Sequence, residues 1–507
     1  HMYSSDRRIA RNTLYLYGRM LLTVWISLYT SRLVLERLGV DDYGVYSVVG
    51  GIVTILSFLN GTMSSATSRF ISYELGRGDT GRLHRTFASS MKVHIALAAI
   101  VLLLAETAGL WYVNSRLVID PARLSAANAT YQLSIVAAMA AIIQVPYSAA
   151  IMSHERMDAY AAIAVVNVLL KLGAALGIAL FATSDSLTGY AALMTVAAIA
   201  VAAVYAAYAW RHFPECRTVR ASDRGILRDM LAFCGWDVYG NLCYTSRVQG
   251  TIVVLNRFGG TALNAAGSLT LTVGATVTAF ASTVVSAFRP QIIKEYAAGA
   301  YGRTLSLLNN AARYSTLLMG LLIVPAIVEM DTLLGIWLVD VPPYTSAFCR
   351  LCLIAACGEL LNTVLAIGIH ATGQVFRISL ISGTIYLLEL PAMWLLLRHT
   401  GHPAAVYALH LAAVSAILVV NTFILRHQMR QFSPARFLWR GVLQPGAMIC
   451  VSYAATLAVA CAVPGTWLRL AACLSASSAT LCALTWLFIL PADAKNSITH
   501  RLRTWVK

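Results

Sequence analysis

The chain has 507 residues, of which 58% are hydrophobic and only 12% charged. Soluble proteins are about 45–50% apolar and about 25% charged, so this composition excludes a soluble enzyme, a disulfide-stapled secreted scaffold and a disordered regulator. The excess of 38 Lys+Arg over 22 Asp+Glu, a net +16, therefore concerns where cations sit relative to a bilayer rather than nucleic acid.

A hydrocarbon core of about 30 Å needs roughly 20 apolar residues per helix. On that ruler the chain divides into fourteen predicted spans: 13–35, 43–68, 88–113, 125–152, 159–182, 188–210, 231–257, 264–288, 305–328, 344–369, 378–397, 404–425, 441–463 and 468–490. Arg7, Arg8 and Arg11 precede a first apolar run too long for a cleavable leader, and no connection is long enough to hide a soluble domain. With the N-terminus cytoplasmic, the loops on that side carry 24 Lys+Arg and the opposite loops 4 to 6. This asymmetry predicts cytoplasmic termini. The longest loop carries Arg217, Arg220, Arg224 and Arg228 at helical spacing, the pattern of an interfacial helix anchored at headgroups.

Span 1 ends in Val34-Leu35-Glu36-Arg37-Leu38-Gly39 and span 7 in Val254-Leu255-Asn256-Arg257-Phe258-Gly259, 220 residues later. At the same offset Arg69, closing span 2, matches Arg289, closing span 8. The pattern predicts two six-helix lobes of parallel topology, 1–215 and 216–430, followed by 431–507 with two additional helices and a tail. The predicted fold class is an all-α polytopic membrane protein. Substrate sites in duplicated transporters sit near the midplane at the interface of the repeats.

An ionisable group at helix centre costs at least about 2.5–3.5 kcal/mol, so each needs a partner or a wet cavity. Lys171, Arg247, Glu359 and Glu389 fall near the midplane; Arg19, Arg32, Asp237 and Arg313 lie partway in; Arg69 and Arg289 lie at the rim. Internal pairing is one reading of these groups. The surplus of cations favours the other, an anion that visits them, and the planar guanidinium fork suits phosphate. Span 2 carries hydroxyls and amides, with Asn60 and Ser64 among them, and span 8 carries Ser268, Thr272 and Thr276. Such faces are either interhelical glue or a lining for sugar.

Asp237, Glu359 and Glu389 are the candidates for binding H⁺ or Na⁺, because a carboxylate in a cavity can alternate between charged and neutral forms. None of the five lysines follows a glycine, so the phosphate-cradling P-loop ending is absent. Cys349, Cys352 and Cys357 make no paired zinc pattern, and no metal or other cofactor is expected. Glu329 and Asp331 leave open a transferase acting on lipid-linked sugars. A multidrug exporter is the nearer rival, although a cationic cavity repels cationic drugs.

Three stretches, Arg8-Ile9-Ala10-Arg11-Asn12-Thr13, Leu38-Gly39-Val40-Asp41-Asp42-Tyr43-Gly44-Val45-Tyr46 and Asn60-Gly61-Thr62-Met63-Ser64-Ser65-Ala66, resemble bacterial polysaccharide flippases. These are the Wzx-type exporters of O-antigen and capsule repeat units in the multidrug/oligosaccharidyl-lipid/polysaccharide superfamily. The resemblance implies two lobes in a V with two extra helices, and alternating access in a bacterial inner membrane. It implies an undecaprenyl-pyrophosphate-linked oligosaccharide as substrate. The implied partners are membrane lipids and a downstream polysaccharide polymerase with its chain-length machinery. By helix, Arg19, Arg32, Arg69 and Arg289 correspond to arginines of related lipid flippases. Asp237 and Glu389 occupy helices that carry cation-binding acids in sodium-binding relatives. The combined reading gives Arg19, Arg32, Arg69, Lys171, Arg247, Arg289, Asn60 and Ser64 to the substrate and Asp237, Glu359 and Glu389 to the coupling ion.

Overall fold

In the computed structural model every described element is a helix. Besides scattered helical positions between 12 and 46, the structure describes residues 59–115, 121–178, 185–217, 223–338 and 341–489. A bilayer offers no water to unpaired amides, so a helix, which satisfies its own backbone, is the form such apolar segments take.

In chain order the helices are α1 (Leu59–Arg77), α2 (Thr80–Ser115), α3 (Pro121–Ser153), α4 (Met157–Gly177), α5 (Ser186–His212), α6 (Arg224–Ala297) and α7 (Tyr301–Val328). There follow a short α8 (Met330–Trp337), then α9 (Thr345–Thr372), α10 (Phe376–Thr400), α11 (Ala405–Gln428), α12 (Pro434–Ala462) and α13 (Thr466–Phe488). Local chemistry sets several starts. Asp79, Asp185, Asp223 and Ser433 each cap the helix that follows by accepting from its first amides, a contribution of about 0.5–2 kcal/mol apiece.

Eleven helices are long and apolar enough to cross a membrane among the described residues. Of the predicted span 13–35, 16 of 23 positions are described and all of them are helical, whereas the predicted span 43–68 is described only at 45, 46 and 59–68. Spans 7 and 8 meet within α6, whose helical hydrogen bonding runs for 74 residues. Its axis nonetheless folds back. A Cβ on Gly267 would lie 2.9 Å from Leu255 Cδ1, whereas twelve residues of straight helix separate two atoms by about 18 Å. The reversal falls where the sequence separates the two spans. The Phe-Gly-Gly-Thr stretch at 258–261 lies in that interval.

The chain forms two compact units. Unit 1 comprises residues 1–239, 289–301 and 373–376, and unit 2 comprises 240–288, 302–372 and 377–507. In unit 1, Phe87, Met91, Ile151, Ile163 and Tyr205 make a core between α2, α3, α4 and α5. In unit 2, Leu255, Phe348, Met393 and Tyr407 join α6, α9, α10 and α11. The last helices, α12 and α13, dock on α7 through Leu317, Met448 and Leu481.

Candidate functional site

Two polar assemblies stand out, one in each unit. The first is built where α6, α9, α10 and α11 of unit 2 converge, and each contributes one ionisable side chain. Arg247 Nη2 donates to Glu359 Oε1 at 2.9 Å. The same oxygen lies 3.1 Å from His410 Nε2, and His410 Nδ1 lies 3.0 Å from Glu389 Oε2. Tyr244 donates to the other Glu359 oxygen at 3.4 Å. The Arg247 guanidinium lies 5.0 Å from the Tyr244 ring centroid and 5.7 Å from that of Tyr386, and the two rings meet edge to face. Arg247, Glu389 and His410 are each no more than 4% exposed.

Burial makes the proton inventory strict. A neutral imidazole offers one donor and one acceptor, and an ionised carboxylate only accepts. With carboxylates at both ring nitrogens, the contacts are satisfied only when the three groups Glu359, His410 and Glu389 hold one proton beyond the neutral tautomer. Carried as imidazolium, that proton makes the quartet of two cations and two anions neutral. Its departure leaves one net negative charge inside the helix bundle, an expensive state without a wet cavity or another cation.

The backbone supports this placement. Pro391, two residues beyond Glu389, lies inside α10 and has no amide for the carbonyl four residues back, which loosens the helix next to the carboxylate. One turn along α9 from Glu359, Asn421 donates to Asn362 (2.9 Å) and accepts from Ser382 (2.9 Å). These buried amides fix the register of α9, α10 and α11 around the quartet.

The second assembly lies in unit 1. The Arg19 guanidinium sits 5.1 Å from the Tyr160 ring centroid on α4, and its Nε is buried without a hydrogen-bond partner. Lys171, exposed on α4, lies eleven residues beyond Tyr160, within about 20° of the same helix face at 100° per residue. Asn167 shares that face. Neither Arg19 nor Lys171 has a carboxylate partner among the described residues.

Arg69 and Arg289 are held differently. The Arg69 guanidinium lies 4.6 Å, 4.9 Å and 5.8 Å from the ring centroids of Phe70, Tyr73 and Phe233. It also packs against Gly373, where φ is +81° and any Cβ would strike it. Arg289 donates to Ser65 and interacts electrostatically with Asp237, which is 8% exposed. Beyond them, Lys294 Nζ and Gln291 Nε2 donate to the two oxygens of Glu155 at 2.9 and 3.2 Å.

The structure thus joins Arg247, Glu359 and Glu389, which the sequence divides between substrate and coupling ion, and puts Arg19 and Lys171 on a separate unit. Ser64 is half-buried on α1. Arg32 and the side chain of Asn60 lie outside what is described. His410 and Tyr244 are the members that sequence reasoning missed. A count of charged residues treats histidine as neutral, and the usable signal was a polar ring in the middle of an apolar span. The acids Glu329 and Asp331 are both occupied. Glu329 pairs with Arg469 at 2.7 Å and Asp331 with Arg350 at 2.7 Å.

Among the described residues no group of three or more His, Cys, Asp or Glu could hold a metal ion. No curated protein matches the chain. Residues 17–177 match the MatE family model. The fold matches that of a MATE in its bent conformation, at 14% identity over 89% of this chain and 97% of that one, with TM-score 0.69. It matches an outward-facing multidrug resistance MATE family transporter of the MOP superfamily at 14% identity, over 84% and 96%, with TM-score 0.67. A MOP superfamily transporter from Pyrococcus furiosus, described as having a binding pocket of reverse polarity that suggests a different function, matches at 12% identity, over 84% and 96%, with TM-score 0.67. The chain carries the MATE fold, and its residues 17–177 carry the sequence pattern of the MatE family.

Proposed function

We propose that this chain is a proton-coupled transporter moving an anionic, lipid-linked oligosaccharide of the undecaprenyl-pyrophosphate type between the leaflets of a bacterial inner membrane. The observation that carries the reading is the α4 face of unit 1, where Arg19 over Tyr160 and Lys171 stand without carboxylates. Cations left unpaired among apolar helices are costly unless an anion reaches them. The fork of Arg19 suits a pyrophosphate, and Lys171, about 16 Å further along α4, is a second point charge for the anionic cargo. Asn167 on the same face and the hydroxyl of Ser64 offer the modest hydrogen bonds that sugars take. Arg69 among its rings and Arg289 beside Asp237 act as positioning residues of unit 1.

The quartet in unit 2 is the coupling element. It exchanges a proton rather than Na⁺, because the contacts on both nitrogens of His410 require one. Losing that proton leaves a net charge that favours a different arrangement of α9, α10 and α11. Both termini are assigned to the cytoplasm. A polymerase with its chain-length machinery is the class of partner that would consume the product.

The second reading is a multidrug exporter, which the fold matches favour. The cationic α4 face argues against cationic drugs, and the Pyrococcus furiosus relative supports the idea that one fold serves pockets of opposite polarity. The test is complementation of a strain lacking its oligosaccharide flippase, scored by surface polysaccharide and by lipid-linked intermediate trapped in the cytoplasmic leaflet. Restored polysaccharide that is lost in Arg19→Ala and Lys171→Ala supports the proposal. Drug tolerance without polysaccharide replaces it with the exporter, and an altered glycan linkage replaces it with a transferase.

A further inference from the structure

We propose that unit 2 carries a binding site for the phosphate of an anionic phospholipid headgroup, formed by Arg313 of α7 and Arg440 of α12. The two helices meet at a small-residue contact, where a Cβ on Gly441 would lie 3.0 Å from that of Ala312. The residues next to this contact are the two arginines. Arg313 Nε donates to the Arg440 carbonyl at 3.4 Å, and the like charges repel across the contact. Arg313 is half-buried and Arg440 exposed. The backbone at Leu438–Leu443 is a π-helical turn, a rare form concentrated at functional sites.

Among the described residues, α7, α11, α12 and α13 contain no Asp or Glu. The one acid of α9, which packs on α7 at Gly368, is Glu359, already held by Arg247 and His410. Arg436, one turn before Arg440 and also exposed, adds a third cation. Like charges do not gather on one seam of a membrane protein without a counter-ion, and guanidiniums pair with phosphate oxygens through charge-assisted bonds. The depth of the site points to lipid as the source of that phosphate. Trp439, beside Arg440, is 62% exposed, and tryptophan prefers the membrane–water boundary where headgroups lie. Basic pockets between transmembrane helices at that level take anionic headgroups. This site is separate from both assemblies described above and stands whether the cargo is a glycolipid or a drug.

The test is native mass spectrometry of the full chain, purified in neutral detergent and titrated with phosphatidylglycerol or phosphatidylcholine. Thermal unfolding with inorganic phosphate forms a parallel arm. The wild type is expected to retain phosphatidylglycerol in preference to phosphatidylcholine. Arg313→Gln and Arg440→Gln should each weaken that retention about fivefold, and Arg398→Gln should leave it unchanged. If Arg313→Gln does not fold, Arg440→Gln alone, at an exposed position, decides the matter. Equal retention by wild type and Arg440→Gln overturns the proposal, as does equal retention of the two lipids. Protection by inorganic phosphate equal to that by phosphatidylglycerol overturns the lipid as the source.

Discussion

The quartet in unit 2 and the α4 face in unit 1 treat charge in opposite ways. In unit 2, Arg247 is matched by Glu359 and His410 ties Glu359 to Glu389, so the charges pair within the quartet, although Arg247 Nε and Glu389 Oε1 are buried without a hydrogen-bond partner among the described residues. In unit 1, Arg19 has only an aromatic ring and Lys171 is exposed without an anionic partner among the described residues. A closed set of charges contributes to the fold and responds to protons. An open set contributes little to the fold and leaves its charge available to an anion. Under the proposed function, the contrast separates the coupling element from the substrate face.

The comparison breaks most visibly at Arg247. Arg247→Ala leaves Glu359 buried without its cation and should cost about 3–5 kcal/mol in thermal unfolding. Arg247→Met combined with Glu359→Leu should recover most of that loss, since His410 and Glu389 remain a neutral pair. If the double variant is no more stable than the single, the quartet is not electrostatically closed.

His410→Gln should cost about 1–3 kcal/mol by leaving a buried carboxylate short of a donor. It should also flatten the dependence of transport on a pH gradient. Transport that keeps the wild-type response assigns the proton elsewhere. Arg19→Ala and Lys171→Ala sharpen the other side of the contrast. Each should change unfolding by about 1 kcal/mol or less, the worth of a cation–ring contact, while glycan export falls at least about tenfold, equivalent to about 1.4 kcal/mol. A stability loss as large as that of Arg247→Ala would make these cations structural.

The smallest effect concerns the ends of the helices. Burial alone would raise the carboxyl of Glu329, but hydrogen bonds from Thr332 and Arg469 and the Arg469 charge hold it below its ordinary value of 4.5. A lowered folded value means that the pair stabilises the protein fully above that ordinary value. The contribution is lost as pH falls through the folded one. Unfolding midpoints taken between about pH 5 and about pH 3 should therefore fall in the wild type and fall less in Glu329→Gln. Parallel curves would show that the Arg469 contact carries no linkage.

Most of the architecture was legible in the chain, because a bilayer imposes a length and an apolar composition on each helix that a linear reading can measure. The reversal inside α6 was legible as well, as the gap between spans 7 and 8. Partnership was not. Arg247, Glu359, Glu389 and His410 are separated by up to 163 positions in the numbering, and no periodicity along one helix reports which face meets which across a bundle.

Sequence by itself determined that this chain lives in lipid, where eleven of its apolar helices run, which loops gather cations and which charged groups had to find company. Only the tertiary structure decided who the company is. It closed Arg247 onto a carboxylate, and it left Arg19 against a ring and Lys171 open. The reason is that transfer free energy belongs to each residue, whereas the compensation of a charge belongs to a pair, and pairs across helices exist only once the helices have packed.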